Sequence, residues 1–572
     1  MKQTYTLLAA FALVALPSWA QKKQTQAKDT TVNRTVVVEQ EYTPIIGEAS
    51  KVNVLPKVTN PTVSKKEVEY ATTWTPASNI PTGILQPYTG KEVQASTRPG
   101  YIRLGYGNYG NLDVLGNYLF RLTDKDKLNV NFQMDGMNGK LTLPYEPVDY
   151  SSWKARYYRT KAGVDYIHQF NKLDLNVAGN FGLSNFNLPP GSVGKQKFTS
   201  GDLHVGVKST DETLPLQYRA ETNFMLYGKQ QNALNGTIGG VDETIVRTKG
   251  LVTGAINDQQ LIGIAVEMNN MFYKEKPDDY GKLIFDNRTL IDLNPYYELN
   301  SDNWLLHLGA NVDFSFGSGK ALRVSPDVTA QYVFSDSYIV YTKATGGRQI
   351  NDLRQLEILN PYAILTTPIV DTYEQLNARI GFKASPMPGL WFNLYGGYQN
   401  LKDDLYPYEG GAVGSSITQW PDYQYTNTNN LYAGAEASYT YKDLFSISGE
   451  ATYYHWKSDY KIQAEGYQAL NYNPTLLMKP KFNFGLQAEV HPIPALRLNI
   501  GYQYTSWALS EVQSYKREIP AISNLSLGGS YEVFKGISIY ARVNNLLNKK
   551  FQWYYTIPTE GTNFIGGLSF QF

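Results

Sequence analysis

The chain has 572 residues, 42% hydrophobic and 18% charged, with 52 basic against 51 acidic side chains, 45 tyrosines, 48 glycines and no cysteine. An ordinary globular composition carries about 25% charged residues, so this chain is charge-poor, yet it is not apolar enough for a bundle of membrane helices. The missing cysteine excludes disulfide frameworks, thiolate catalysis, Cys-ligated zinc and lipid attachment through an N-terminal cysteine, and the balanced charge argues against a nucleic-acid partner, which would need a basic face.

Residues 1–20, MKQTYTLLAAFALVALPSWA, place Lys2 before an apolar stretch from Leu7 to Leu16, with Ser18 and Ala20 at the small-residue positions ahead of a cut. This pattern predicts a secretory signal peptide rather than an anchor helix, which would need about 20 apolar residues. Residues 21–98 follow, with prolines at 44, 56, 61, 76, 81 and 87, mixed charge and little sustained periodicity. They read as an extended periplasmic or lumenal arm rather than a compact domain.

From Pro99 to the C-terminus the apolar residues recur at every second position. Leu112, Val114, Tyr118 and Phe120 alternate with Asp113, Asn117 and Arg121; Trp304, Leu306, Leu308 and Val312 alternate with His307, Asn311 and Asp313; Ile537, Ile539 and Val543 alternate with Ser538, Tyr540 and Asn544. One face is apolar and the other is wet. The segments are about twice the five or six residues usual for strands of soluble sheets, and a strand tilted across a bilayer needs about 9 to 11 residues. The prediction is all-β: a single transmembrane antiparallel β-barrel of 22 strands over residues 99–572, since only a closed barrel pairs every backbone group in lipid. The predicted strands begin near Pro99, Leu112, Lys127, Trp153, Lys172, Lys197, Leu214, Val241, Gln259, Asn287, Asn303, Ala321, Ser337, Asp371, Gly389, Asn427, Asp443, Pro474, Ala495, Ala521, Gly536 and Asn563.

The connections alternate in length. Even-numbered strands end in turns such as Thr123–Asp126, Ser301–Asn303, Ser385–Gly389 and Phe534–Gly536, whereas odd-numbered strands lead into long loops, including Met137–Ser152, Ala344–Val370, Leu401–Thr428 and Lys457–Asn473. In outer-membrane barrels the short turns are periplasmic, which puts both termini in the periplasm. Twenty-two strands about 4.8 Å apart close at a diameter on the order of 40 Å, too wide to be filled by wall side chains alone.

The last segment, NFIGGLSFQF, aligns Phe564, Leu568, Phe570 and Phe572 on one face and ends in Phe. It resembles the signal read by the barrel assembly machinery. Upstream, Asn545, Leu546, Leu547, Asn548, Lys549 and Lys550, followed by Phe551, are similar to the Asn-Leu-Phe-Asn-Lys box near the end of TonB-dependent receptors. Asn360, Pro361 and Tyr362, followed by YEQLNARIGFKAS, are similar to that family's Asn-Pro loop and the strand after it. The resemblance implies an outer-membrane transporter or receptor, in contact with lipid and lipopolysaccharide and coupled to TonB or another periplasmic or outer-membrane protein. The family closes its lumen with a plug domain of well over a hundred residues, and residues 21–98 are too short for one. At their start, RTVVVEQEYTP is similar to the segment that engages the periplasmic energy-coupling protein by strand addition, with Thr35, Val36, Val37 and Val38 as the pairing residues. A plain edge strand or linker accounts for the same residues. The competing reading of the whole chain is a non-transporting scaffold or accessory subunit that docks periplasmic or surface partners.

The other motifs have plainer readings. Gly105–Gly110 matches a dinucleotide fingerprint but lies between strands, and Gly317–Lys320 lacks most of a phosphate loop, so both read as turns. The five histidines show no metal-ligand spacing, so no catalytic residue, metal or cofactor is expected and the chain reads as a non-enzyme. The acid pairs Asp278-Asp279 and Asp403-Asp404 could bridge cations, though solvated loop charge is the plainer account. Trp391, Phe392 and Tyr395, and Trp553, Tyr554 and Tyr555, suit an interfacial girdle. Tyr406, Tyr408, Trp420, Tyr423 and Tyr425 crowd one predicted loop, where they would either stack on an external ligand or pack the loop over the pore.

Overall fold

The computed structural model describes residues 98–572 apart from 143–151, 190–194, 212, 231–239, 276–283, 335–336, 364, 366–367, 410–420, 460–473, 510 and 513–516. The signal peptide, nearly all of the arm, the Thr35–Val38 segment, Asp278-Asp279 and Trp420 lie outside the described residues.

Alternating sequence becomes strand throughout. In chain order the strands are β1 (Gly100–Gly107), β2 (Leu112–Arg121), β3 (Asp126–Thr142), β4 (Ser152–Gln169), β5 (Leu173–Asn187), β6 (Lys195–Ser209), β7 (Leu216–Lys229), β8 (Val241–Asn257), β9 (Gln260–Glu275), β10 (Arg288–Asn300), β11 (Trp304–Phe316), β12 (Leu322–Phe334) and β13 (Tyr338–Gln349). A short helix, α1 (Leu353–Leu359), precedes β14 (Thr372–Met387), β15 (Leu390–Glu409), β16 (Pro421–Tyr441), β17 (Phe445–Ser458), β18 (Pro480–Ile493) and β19 (Leu496–Trp507). Then come β20 (Glu511–Val512), β21 (Arg517–Glu518), β22 (Ile522–Phe534), β23 (Ile537–Asn544), β24 (Gln552–Tyr554), β25 (Ile557–Pro558) and β26 (Asn563–Gln571).

Twenty-two of these form one antiparallel sheet. The pairs β20–β21 and β24–β25 are small ribbons in the connections. The sheet closes on itself because β1 pairs with β2 on one side and with β26 on the other, with Tyr101 opposite Gln571 and Gly107 opposite Ile565. Tyr118, Phe120 and the terminal Phe572 cluster beside this seam, and Gly100 and Phe572 exchange backbone hydrogen bonds of 2.9 and 3.1 Å. Among the described residues no helix is long and apolar enough to cross a membrane.

Exposure follows the pleat. On β1, Ile102 and Leu104 face outward while Arg103 between them is fully buried; on β11, Trp304 and Leu308 are exposed and Asp313 is buried. A continuous outward band of Leu, Ile, Val and Phe is stable in hydrocarbon and unfavourable in water. Near the short turns this band carries a ladder of rings, with Trp304 against Tyr332, Phe334 against Tyr338, and Phe382 against both Tyr338 and Phe392. That is the girdle expected at a membrane–water boundary.

Several expectations are revised. Strands β15 and β16 run on past the band, so the predicted loop Leu401–Thr428 narrows to residues 410–420 and β16 starts at Pro421 rather than near Asn427. β18 starts at Pro480 rather than near Pro474, which begins a 3-10 turn. Above the bilayer outward side chains need not be apolar, so the ladder continues where the alternation that reveals it has stopped. Tyr395 points inward, donating to or accepting from Thr452 at 2.8 Å with Arg379 over its ring, and Trp553 and Tyr555 are buried in loop structure. Those residues are therefore not in the girdle. Of the Gly105–Gly110 motif, Gly105–Gly107 end β1 and Asn108–Gly110 form a 3-10 turn, while Gly317–Lys320 is a turn between β11 and β12, with Gly110, Gly317 and Gly319 at positive φ.

Inside the wall, tyrosines lie over glycines directly opposite them on the next strand. Tyr341 faces Gly381, Tyr432 faces Gly397, Tyr395 faces Gly434 and Tyr540 faces Gly567. A Cβ at Gly397 would meet the Tyr432 ring at 2.4 Å, and one at Gly434 the Tyr395 ring at 2.5 Å. The ring covers the bare backbone of its partner, so each pair fills space that neither residue could fill alone. Gly397→Val should therefore lower the stability of the barrel by roughly 1–3 kcal/mol. Gly116→Ala, whose added carbon meets nothing within 4 Å, should be neutral within about 0.5 kcal/mol, both read from urea unfolding midpoints in detergent.

Candidate functional site

The inner wall is polar, and many of its charged side chains pair with a neighbour on the wall. Arg103 pairs with Asp113 at 2.8 Å, and the Tyr540 hydroxyl donates to Asp113 at 2.9 Å across the seam. Arg247 donates to Asn269 at 2.7 Å, and Lys249 pairs with Glu267 at 3.3 Å. Arg379 lies over the rings of Tyr395 and Tyr432 at 4.4 and 5.2 Å. Buried charge is tolerated in such numbers only when paired, and here the pairing runs from strand to strand.

At the end carrying the long connections, the β13–β14 segment folds inward as a strap. Asp352 caps α1, accepting from the Gln355 amide at 2.8 Å, and the Leu353 amide donates to Glu243 Oε2 of β8 at 3.0 Å. Arg354 makes a two-pronged ion pair with Asp202 of β6, one bond of which measures 2.9 Å. The Tyr227 hydroxyl donates to Glu357, and Lys229 of the same strand donates to the Ala363 carbonyl at 2.8 Å. On the return, Asp371 receives Arg288 at 2.8 Å and the Asn351 amide at 3.0 Å. Leu353, Leu356, Tyr362, Leu365 and Ile369 of the strap are buried with Trp153, Phe186, Phe198 and Tyr227 of the wall. One end of a wide barrel thus contains a hydrophobic core, made where inward side chains turn from polar to apolar and meet a connection long enough to reach them.

Beside the strap lies a small pocket, partly open to solvent and lined by residues of β3, β4, β5, the strap and the β23–β26 connection. Tyr362 packs edge-on against Trp153 and Phe186 at 5.6 and 5.5 Å and meets Tyr554 at 6.1 Å. The far wall is set by the Asn-rich box. Asn545 and Asn548 take positive φ, which asparagine tolerates, and the Asn545 amide donates to the carbonyls of Lys549 and Glu560 at 2.8 and 3.0 Å. That fold presents Glu560, which is buried and accepts a hydrogen bond of 2.9 Å from Asn111. Burial pushes the Glu560 carboxyl up to about 7, and burial does the same to Glu357, with Arg159 opposing it. Burial also raises the Tyr362 phenol well above its usual value.

The sequence-predicted residues divide. Tyr406, Tyr408, Tyr423 and Tyr425 are on paired strands rather than in a loop: Tyr406 lies opposite Gln424, and Tyr408 opposite Asp422. Tyr406 and Tyr423 are buried, Tyr423 in the mouth core, while Tyr425 is 42% exposed. Phe564, Leu568 and Phe572 face outward on the closing strand, and Phe570 is half-buried. Asp404 is not solvated loop charge; it is buried on β15 and pairs with Lys479 at 2.6 Å, while Asp403 pairs with Arg323 at 3.0 Å. Among the described residues no cluster of three or more His, Asp or Glu could hold a metal ion. His307 sits between Glu298 and Asp327 at 3.0 Å each. Sequence reasoning missed Trp153, Tyr362 and Glu560 as site residues. The resemblance around Asn360–Tyr362 and Asn545–Phe551 was the one signal, because those are the two connections that build the pocket.

No protein-family model matches the sequence, and no curated protein matches it. Solved structures do match the fold. The siderophore receptor PirA from Pseudomonas aeruginosa aligns with a TM-score of 0.58 at 10% identity, covering 83% of this chain and 79% of that chain. The FrpB iron transporter from Neisseria meningitidis, F5-1 variant in its apoprotein form, aligns at 0.63 and 12% identity, covering 84% and 82%. The copper transporter OprC aligns at 0.59 and 13% identity, covering 83% and 80%. The barrel has the 22-strand fold of TonB-dependent receptors.

Two outcomes follow for the strap. Arg354→Ala removes the ion pair with Asp202 and should reduce the free energy that holds the strap by about 3 kcal/mol. It would be read as faster amide exchange across residues 353–360. Arg219→Ala, whose side chain is 60% exposed, should leave the same amides unchanged. The Glu357 carboxyl titrates higher in the closed strap than in solvent, so closure binds the proton more tightly. The closed strap is then most stable below the ordinary carboxylate range and loses stability as pH rises to about 7, a trend that Glu357→Gln should weaken.

Proposed function

We propose that the protein is an outer-membrane transporter or receptor of the TonB-dependent type, with its long connections facing outward and both termini in the periplasm. The observation that carries this reading is a closed 22-stranded barrel, too wide to be filled by wall side chains, with the β13–β14 connection packed against the inner wall at its long-connection end. A strap held by ion pairs and one small core can open without unfolding the barrel, which suits ligand entry. The rim pocket is the first ligand contact, and the solved structures of siderophore, iron and copper receptors and transporters support the same class. Residues 21–98 serve as a reduced plug, with Thr35, Val36, Val37 and Val38 adding a strand to TonB or another periplasmic protein, and Phe564, Leu568, Phe570 and Phe572 are read by the assembly machinery. The outward band contacts outer-membrane lipid and lipopolysaccharide. No catalytic role is assigned.

The second reading, a non-transporting scaffold, is favoured by how many separate anchors hold the strap shut. Conductance in planar bilayers separates the two. The intact protein should be closed, and removing residues 351–370 together with residues 22–98 should open large channels. If both forms stay closed and the protein purifies in a fixed complex with another chain, transport is excluded. Val37→Pro removes a strand-pairing donor and should abolish energised uptake while leaving barrel assembly intact.

A further inference from the structure

The rim pocket combines many aromatic faces with one buried carboxyl. Trp153, Tyr157, Tyr362, Trp553 and Tyr554 contribute the rings, and Glu560 contributes the acid. We propose that this pocket binds an organic cation with an alkylated ammonium head, its charge held against the ring faces and against Glu560.

The chemistry narrows by elimination. A sugar would need a dense array of donors and acceptors, whereas this lining is mostly hydrocarbon and ring, with Thr559 and Glu560 as its polar side chains besides the tyrosine hydroxyls. An anion would be repelled by Glu560. A primary ammonium is strongly hydrated, and a lining that is mostly ring and hydrocarbon replaces that water poorly; an alkylated ammonium has a weakly hydrated surface that aromatic faces accept. The neighbouring cation does not compete for the acid. Arg159 is committed to Asp135, donating from Nε at 3.1 Å and from Nη2 at 2.9 Å. Asp135 is paired with Arg159, and Glu357, which accepts from the Tyr227 hydroxyl, is not among the lining residues, so Glu560 is the acid that lines the pocket. A carboxyl buried among rings with one amide hydrogen bond is costly unless a cation joins it. Burial holds Glu560 up to about 7, the behaviour of an acid lacking its counter-charge.

This assignment names the ligand class of the rim pocket and takes its physiological meaning from the transporter reading, but binding is measured on the purified full chain. Choline is the probe and dimethylbutanol, its neutral carbon isostere, is the control, followed at pH 8 by tryptophan fluorescence and calorimetry. Choline should bind at least about tenfold more tightly than the isostere. Glu560→Gln should erase most of that preference, Glu560→Asp should retain part of it, and in a Glu357→Gln background, which removes the strap's own carboxyl titration, affinity should fall as pH drops from 8 to 5, while the mobility of the folded barrel on unheated gels stays unchanged. Equal affinity for the two probes, or a choline affinity indifferent to Glu560→Gln, overturns the proposal. Choline binding by a chain that never conducts or takes up solute leaves the site standing and removes the transporter reading instead.

Discussion

Everything in this molecule depends on the hydrogen-bonded seam between β1 and β26. A strand edge exposed to hydrocarbon would strand a row of amides and carbonyls, so a sheet of this length is stable in lipid only when its last strand finds its first. The seam is reinforced from inside by Arg103, Asp113 and Tyr540, which tie β1, β2 and β23 into one buried network. Phe572 lies at the joint itself, against Gly100 and Tyr118, so its backbone and ring are a structural part of closure.

Closure at this strand number creates a second constraint, a lumen that the wall cannot fill. The chain meets it in two ways at two heights. Along the middle of the wall, inward residues are largely charged or amide side chains, many of which pair with one another from strand to strand. At the long-connection end the inward residues become apolar, with Met225, Ile245, Met271 and Leu290 fully buried, and they are covered by a strap carrying matching hydrophobic residues. The strap's ion pairs then fix its register against strands far away in sequence, Arg354 on Asp202 and Asp371 on Arg288. The same geometry leaves a gap between the strap and the β23–β26 connection, and that gap is the rim pocket.

The surplus of tyrosine and glycine has a single explanation in part. Some tyrosines do belong to the girdle, yet a recurrent use is the cross-strand pair in which an inward ring lies over an opposing glycine. Such pairs smooth a curved wall and keep the hydroxyl in the wet lumen while the ring shields backbone. Composition had suggested an interface for these rings; the wall offers a second one, between backbone and lumen water.

What the sequence determined by itself was whatever obeys a local period. Alternation, strand length and the asymmetry of the connections were enough for the barrel, its strand number and most strand starts, because in a membrane each strand must satisfy the pleat independently of distant residues. The outward or inward assignment of Ile102, Arg103, Leu308 and Asp313 was legible for the same reason. Tertiary structure alone decided the rest. Extensions of β15 and β16 above the bilayer have no apolar face to mark them, and Tyr406 and Tyr423 turned out to be paired and buried there. Asp404 reads as loop charge until Lys479 is beside it, and Trp553 as girdle until the ribbon that holds it folds inward. Trp153, Tyr362 and Glu560 stand hundreds of residues apart along parts of the chain that share no periodic pattern. Only the closing of the barrel and the inward fold of the strap bring them to one pocket, since side-chain contacts between connections are set by where the wall places their ends.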